Sequence, residues 1–299
     1  KLGNNIEIKS TNEVILGDST FLNLNPVTIQ YPEPRDLDYF SLEGSIYNKE
    51  GGVLKNLDLA GGNLPFCGTG WLGISYQVKF YNGNYYLVYS HSGHLTFKRF
   101  DKTGIKFSSN SDANYYSWNT REDVINPDVA ALPNGDYVIA WFQKDDGSEY
   151  FPTIGINAEF FTPKDSSLNY FTLVEPVENM DYGTKPWNNV PRVAAITIDD
   201  STYQIIWMDK DDASFNYIRY NAGGKIVDST VSIDIDTELF EEDTLFESFD
   251  HWRITKNAEN NFYINVGMIK NYEIVNLVYK LNKNGDFLGK VYEGKIDTK

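Results

Sequence analysis

The line Pro127-Asp-Val-Ala-Ala-Leu-Pro-Asn-Gly-Asp-Tyr-Val-Ile-Ala-Trp141 recurs in imperfect copies along most of the chain, and this repetition constrains the fold more than any other feature. Asn134-Gly135 reads as a type I′ hairpin turn, because both central residues of that turn need positive φ and Asn and Gly tolerate it. One flank, Asp128 to Leu132, is an apolar run. The other, Tyr137 to Trp141, is β-branched and aromatic, as a half-buried strand requires. A third strand follows at Thr153 to Phe160. The same order returns at Tyr76 to Phe80, Asn82-Gly83, Tyr85 to Tyr89 and His94 to Phe100. It returns again at Pro191 to Ile196, Tyr203 to Trp207 and Phe215 to Tyr220, and finally at His251 to Ile254, Phe262 to Val266 and Val275 to Leu281. The N-terminal stretch gives a less regular unit, from Ile6-Glu-Ile8 and a turn at Ser10 to Glu13 to Phe40 through Tyr47, ending on Gly51-Gly52.

The period is about sixty residues, which gives five units of inner, middle and outer strand at 5–60, 71–115, 124–175, 187–233 and 250–296. One unit cannot bury both faces of its sheet until neighbours stack against it, so the sequence predicts an all-β fold, a five-bladed β-propeller in a single domain spanning 1–299. A β-sandwich pair is the competing arrangement, since it also uses short alternating strands.

Charge narrows the partners. With 42 acidic against 26 basic side chains and a net charge of −16, the surface repels nucleic-acid phosphates and anionic lipid head groups. No apolar run is long enough to span a bilayer. The chain begins at Lys1, as it would after removal of a targeting peptide, and none of its Asn residues lies in an Asn-X-Ser/Thr sequon. These features predict an extracellular or cell-surface protein of bacterial or other microbial origin. The lone Cys67 reads as a small buried hydrophobe, and His91 and His94 as surface residues.

Propeller ligands sit where loops enter the inner strands, and aligning the units nominates a polar ring there: Gln77, Asp128, Arg192 and Arg253, with Glu7 the least regular equivalent. Asp128 has a structural alternative, pairing with Arg192 or Arg253. Trp71, Trp118, Trp187 and Trp252 precede inner strands, where they either stack on sugar faces or wedge between blades. His251 is placed for proton transfer. Two acidic loops, with Asp145 and Asp146 in one and Asp209 and Asp211 in the other, offer the oxygen ligands that Ca²⁺ takes, although neither has EF-hand spacing and no cofactor is required. The segment from Asp234 to Asp250 is an acidic excursion that reads as a lid or partner-binding flap.

The Pro127 to Trp141 line, with its partial copy at Pro191, resembles a short propeller-type repeat of secreted and cell-surface microbial proteins. The Tyr76 to Ser90 unit looks like the strand-hairpin-strand unit of five-bladed glycosidases and sialidase-like propellers. That second resemblance implies acidic catalytic residues on the inner strands of different blades, and Glu7 and Asp128 are the carboxylates so placed. The sialidase Asp-box spacing is absent from Ser109 to Trp118. A lyase would instead use His251 with Arg192 or Arg253 to neutralise a uronate. The sequence-based expectation is a non-catalytic propeller that binds a carbohydrate or an extracellular protein through one rim. The alternative is a glycoside hydrolase or polysaccharide lyase on the same fold, and the third reading is a structural module of a surface assembly.

Overall fold

In the computed structural model, the residues described are 7–10, 13–30, 37–65, 75–91, 94–104, 113–115, 122–145, 153–177, 193–209, 214–234, 251–270 and 273–296. All regular structure among them is β-strand, arranged in five antiparallel sheets that are the five blades of a β-propeller. The chain divides into two compact units, Lys1–Asp123 and Val124–Lys299.

In the first unit, blade 1 contains β1 (Glu7–Ser10), β2 (Glu13–Leu16), β3 (Thr20–Gln30), β4 (Leu37–Asn48) and β5 (Val53–Pro65). Both β1 and β2 pair with β3, so the expected path from Ile8 straight to Phe40 is corrected by an additional middle strand. Blade 2 contains β6 (Ser75–Tyr81), β7 (Asn84–His91), β8 (His94–Asp101) and β9 (Ala113–Tyr115). Leu22, Leu24, Leu42 and Ile46 of blade 1 form one core with Val78, Tyr85, Leu87, Tyr89 and Phe100 of blade 2. The Tyr85 hydroxyl lies 3.1 Å from the Thr20 hydroxyl, so this buried phenol keeps a hydrogen bond.

The second unit holds three blades. Blade 3 is β10 (Glu122–Ala131), β11 (Tyr137–Asp145), β12 (Thr153–Phe161) and β13 (Ser167–Val177). Blade 4 is β14 (Val193–Thr197), β15 (Thr202–Asp209), β16 (Ser214–Asn221) and β17 (Ile226–Asp234), and blade 5 is β18 (His251–Lys256), β19 (Phe262–Lys270), β20 (Glu273–Leu281) and β21 (Phe287–Ile296). Phe160 of blade 3 packs against Tyr203 and Tyr220 of blade 4. The opposite face of blade 4 shares a core with blade 5, from Ile206, Met208, Phe215 and Tyr217 to Trp252, Ile264, Val266, Leu277 and Tyr279. Each such fully buried side chain contributes about 1.5–3 kcal/mol through area removed from water.

Each blade has four strands in its main path where the sequence reading found three, and the fourth was missed for a physical reason. Strand β17 is exposed at nearly every position, with Ile226 and Val227 more than half exposed, so it carries no burial periodicity.

The turn at Asn134-Gly135 also corrects the expectation. Only Gly135 has positive φ (91°) there; its N–H donates to the Leu132 carbonyl, and the Leu132 N–H donates to the Asp136 carbonyl. A two-residue type I′ turn would make Pro133 a pairing residue, and Pro has no N–H to give. Pro133 instead takes the second position of a type I turn, where its fixed φ belongs, followed by a left-handed glycine. At Asn82-Gly83 both residues do have positive φ, 43° and 80°, and the type I′ reading holds.

The turn between the third and fourth strands is nearly constant. In blades 1, 3, 4 and 5 a five-residue loop (48–52, 162–166, 221–225 and 282–286) closes with its fourth residue left-handed: Gly51, Asp165, Gly224 and Gly285. Blade 2 uses Gly104 in the same way. The first residue supplies a side-chain acceptor, as when Asn282 Oδ1 accepts from the N–H groups of Asn284 and Asp286. Several of these turns wedge against the preceding blade. A Cβ on Gly104 would lie 2.6 Å from Lys55 Cγ, and one on Gly224 would lie 2.9 Å from Phe160 Cδ2.

Candidate functional site

Within each blade the antiparallel path puts the connection between second and third strands at the end where the chain enters from the blade before. In the second unit this end carries Asp145 opposite Thr153, Asp209 opposite Ser214, Ser214 opposite Asp234, Lys270 opposite Glu273, and His251 opposite Gly267. Asp145 and Asp209 each close the second strand of their blade, an equivalence the acidic-loop reading anticipated. Asp146 and Asp211, the other two proposed calcium ligands, lie outside the described residues. Among the described residues no group of three His, Cys, Asp or Glu side chains is gathered as a metal site.

Asp128 lies elsewhere. It is 5% exposed, with Oδ1 accepting the Val129 N–H at 2.8 Å and Oδ2 accepting the Ala195 N–H, also at 2.8 Å. Two residues on, the Thr197 hydroxyl donates to the Ala131 carbonyl at 2.9 Å. The inner strands of blades 3 and 4 have no ladder between them, and these two bonds lace them together. Each carboxylate oxygen of Asp128 thus accepts from a backbone donor, one of them on the neighbouring blade.

Trp252 is 5% exposed in the core shared by blades 4 and 5, edge-on to Phe215 with ring centroids 5.5 Å apart. It fills the wedge role and leaves no open face for a sugar. Trp71, Trp118, Trp187 and Arg192 lie outside the described residues. Gln77 on β6 and Arg253 on β18 are exposed, whereas for Glu7 on β1 and His251 on β18 the strand position alone is described.

Sequence reasoning missed the best-connected charged cluster. Arg219 on β16 donates from Nη1 to Asp228 at 3.0 Å, from Nη2 to Asp286 at 2.7 Å and from Nε to Gln204 Oε1 at 3.0 Å, and its guanidinium sits 5.2 Å from the Tyr217 ring centre. Gln204, fully buried, also donates to the Gly285 carbonyl at 3.1 Å. The cluster ties blade 4 to the wedge turn of blade 5. Hydrogen bonds from Arg219 and then from Asn282 hold the Asp286 carboxyl below its usual range. A depressed carboxylate pKa stabilises the fold at pH above the unfolded value, and that contribution is lost as pH falls through the folded value. An acid-side stability titration is therefore expected to show a smaller loss for Asp286→Asn than for the parent chain. Identical slopes would contradict the linkage.

Two further carboxyls are perturbed: Asp199, which burial pushes upward but hydrogen bonds from Ser201 and Thr202 bring below its usual range, and Glu159 on β12, which burial pushes upward against a hydrogen bond from Ser167. Glu159 lies towards the turn end of its blade, away from the loop end.

No protein-family model matches the chain, and no curated protein matches it in sequence. Solved structures do match its fold. A mutant of the α-L-arabinofuranosidase arb93a from Fusarium graminearum, in complex with an iminosugar inhibitor, aligns over 93% of this chain and 77% of its own, at TM-score 0.52 and 11% identity. An α-L-arabinanase from Penicillium chrysogenum complexed with arabinobiose aligns over 92% and 71%, at TM-score 0.48 and 12% identity. An ulvan lyase, a polysaccharide lyase, aligns over 95% and 70%, at TM-score 0.49 and 9% identity.

The likeness to the arabinofuranosidase is one of fold. It overturns the expectation of a non-catalytic binding module, which rested on reading this fold as a rim for recognition alone: the same fold, over nearly the whole chain, is that of a glycosidase solved with an inhibitor bound.

Proposed function

We propose that the chain is a carbohydrate-active enzyme acting on a polysaccharide, first of all a glycoside hydrolase. The observation that carries this reading is the fold likeness to the α-L-arabinofuranosidase over 93% of the chain. Supporting it, the loop ends of blades 3, 4 and 5 each carry a residue type the chemistry needs. Glycoside hydrolysis uses a carboxylic acid and a second carboxylate on either side of the scissile bond. Asp145 and Asp209, at equivalent strand ends of adjacent blades, are the carboxylates proposed for it, with His251 at the head of β18 as a proton carrier. The same two aspartates are the positions proposed for Ca²⁺, and chelation separates the roles. A polymeric substrate cannot enter a cell, so an extracellular or surface location belongs to this proposal.

A polysaccharide lyase is the second reading, favoured by the exposed Arg253 two residues after His251, where a guanidinium can neutralise a uronate while a base removes the neighbouring proton.

The test is product formation from arabinan, arabino-oligosaccharides and uronate polysaccharides, with and without EDTA. New reducing ends without ultraviolet-absorbing products are expected, and Asp209→Asn should lower kcat by about 100-fold or more. Unsaturated products would select the lyase. An inert protein across the whole panel would reject both.

A further inference from the structure

The sequence holds three Asn-Gly pairs, and each sits in a described turn: Asn82-Gly83, Asn134-Gly135 and Asn284-Gly285. Such a pair carries its own electrophile and nucleophile. The side-chain amide carbon of the asparagine can be attacked by the backbone nitrogen of the next residue, and glycine puts no Cβ in the way. The attack requires that nitrogen to shed its proton. An N–H already given to an acceptor therefore reacts only after its turn has opened locally.

Two of the pairs are closed. The Gly135 N–H donates to the Leu132 carbonyl at 2.9 Å, Asn134 Nδ2 donates to Asp136 Oδ2 at 2.7 Å, and Asn134 Oδ1 accepts from the Asp136 N–H at 2.9 Å. The Gly285 N–H donates to the Asn282 carbonyl at 2.9 Å, and the buried Gly285 packs against Ile198 and Gln204, its carbonyl accepting from Gln204 Nε2 at 3.1 Å. Asn82-Gly83 is open. The pair forms the whole two-residue turn between β6 and β7, and the Gly83 N–H donates to no group among the described residues. A Cβ on Gly83 would meet nothing within 4 Å. Its peptide group is also polarised: Asn84 Nδ2 donates to the Asn82 carbonyl at 3.3 Å, and density drawn onto that oxygen makes the nitrogen of the same peptide easier to deprotonate.

We propose that Asn82 is a site of spontaneous covalent modification, converted by its own neighbour and water to aspartate and isoaspartate. The Gly83 nitrogen bonds to Asn82 Cγ as the Cγ–Nδ2 bond breaks, and the side-chain NH₂ leaves as ammonia with the proton from Gly83. The resulting succinimide is opened by water. Addition at Cγ gives aspartate; addition at the backbone carbonyl gives isoaspartate, whose main chain runs through the former side chain and is one carbon longer. Water is consumed, ammonia is released, and nothing is oxidised or reduced. Either product adds a negative charge at the tip. Isoaspartate also lengthens a turn whose flanking residues, Tyr81 and Asn84, are paired and whose Gly83 carbonyl accepts from the Lys102 N–H at 3.2 Å. The site belongs to blade 2 alone and is independent of the proposed catalytic activity.

The test is to hold the intact protein in warm, mildly alkaline buffer made with heavy-oxygen water and to follow the three Asn-Gly peptides by mass spectrometry after digestion. A parallel sample in guanidinium chloride gives the rate that local sequence alone sets at each site. Folding is expected to slow Asn134 and Asn284 by about tenfold or more, since their N–H bonds must break first, and to change Asn82 by less than about threefold. The Asn82 peptide should take up one heavy oxygen and split into two chromatographic peaks of equal mass, aspartate and isoaspartate. Protection of Asn82 by folding as strong as that of Asn134 and Asn284 would overturn the proposal. So would an Asn82 peptide that gains no label in the folded protein while the unfolded chain gains it.

Discussion

Asp128→Ala is expected to lower stability by about 2–4 kcal/mol, because it leaves the buried N–H groups of Val129 and Ala195 without their acceptors. For a chain of this size that corresponds to a fall in melting temperature of roughly 5–15 °C, measured by circular dichroism. Asp128→Asn retains one acceptor oxygen and should fall between alanine and parent. The result bears on function as well. Were Asp128 an acid or base, Asp128→Asn would abolish turnover and leave the melt unchanged, whereas a lacing role moves the melt first. An alanine variant that melts within a degree of the parent would refute the lacing role.

The second large effect is expected at Gly285→Ala. The residue has φ of +77°, and a Cβ there would lie 2.6 Å from Ile198 Cδ1 and clash with the Gln204 carbonyl oxygen that accepts from Arg219. Left-handed backbone in a non-glycine residue costs about 1–2 kcal/mol. Displacing Gln204 from a hydrogen-bonded, fully buried position adds a comparable amount, for a total of about 3–5 kcal/mol. Gly51 provides the internal control, with φ of +86° and nothing within 4 Å of an added Cβ, so Gly51→Ala should show the backbone cost alone. The difference between the two urea midpoints measures the wedge. Equal losses would show that the turn of blade 5 is not seated on blade 4.

The repeat was readable because its middle strands alternate large apolar residues on two buried faces: Tyr137, Ile139 and Trp141 against Val138, Ala140 and Phe142, all buried. What failed to register failed for definable reasons. Strand β17 is exposed almost throughout, so nothing in its composition marks it as a sheet edge. Asn134-Gly135 was read as a two-residue turn, when the missing N–H of Pro133 makes that residue part of a longer one. Chain position left Asp128 and Trp252 each with a ligand-facing and a structural reading, because a side chain on an inner strand can equally lie between blades; Trp252 takes the wedge, and Asp128 bonds to Ala195 of the next blade. The Arg219 cluster gathers partners 9, 15 and 67 residues away in sequence, and no local pattern announces it. A site was the hardest to read, because a propeller's ligand contacts come from separate blades and no single blade carries a diagnostic motif.

The two ends of each sheet obey different rules of change. At one end the turn between third and fourth strands carries a left-handed residue in every blade, and in blades 1, 3, 4 and 5 it keeps its length of five residues. At the other, the segment between second and third strands runs from 92–93 in one blade to 146–152 in another, and the segment between blades from 116–121 to 235–250. A lineage built this way can lengthen, shorten or replace segments at one end while the seating of blade on blade is inherited intact from the other. Novelty and permanence are thus assigned to opposite ends of the same strands, and a new specificity can arise without renegotiating the fold.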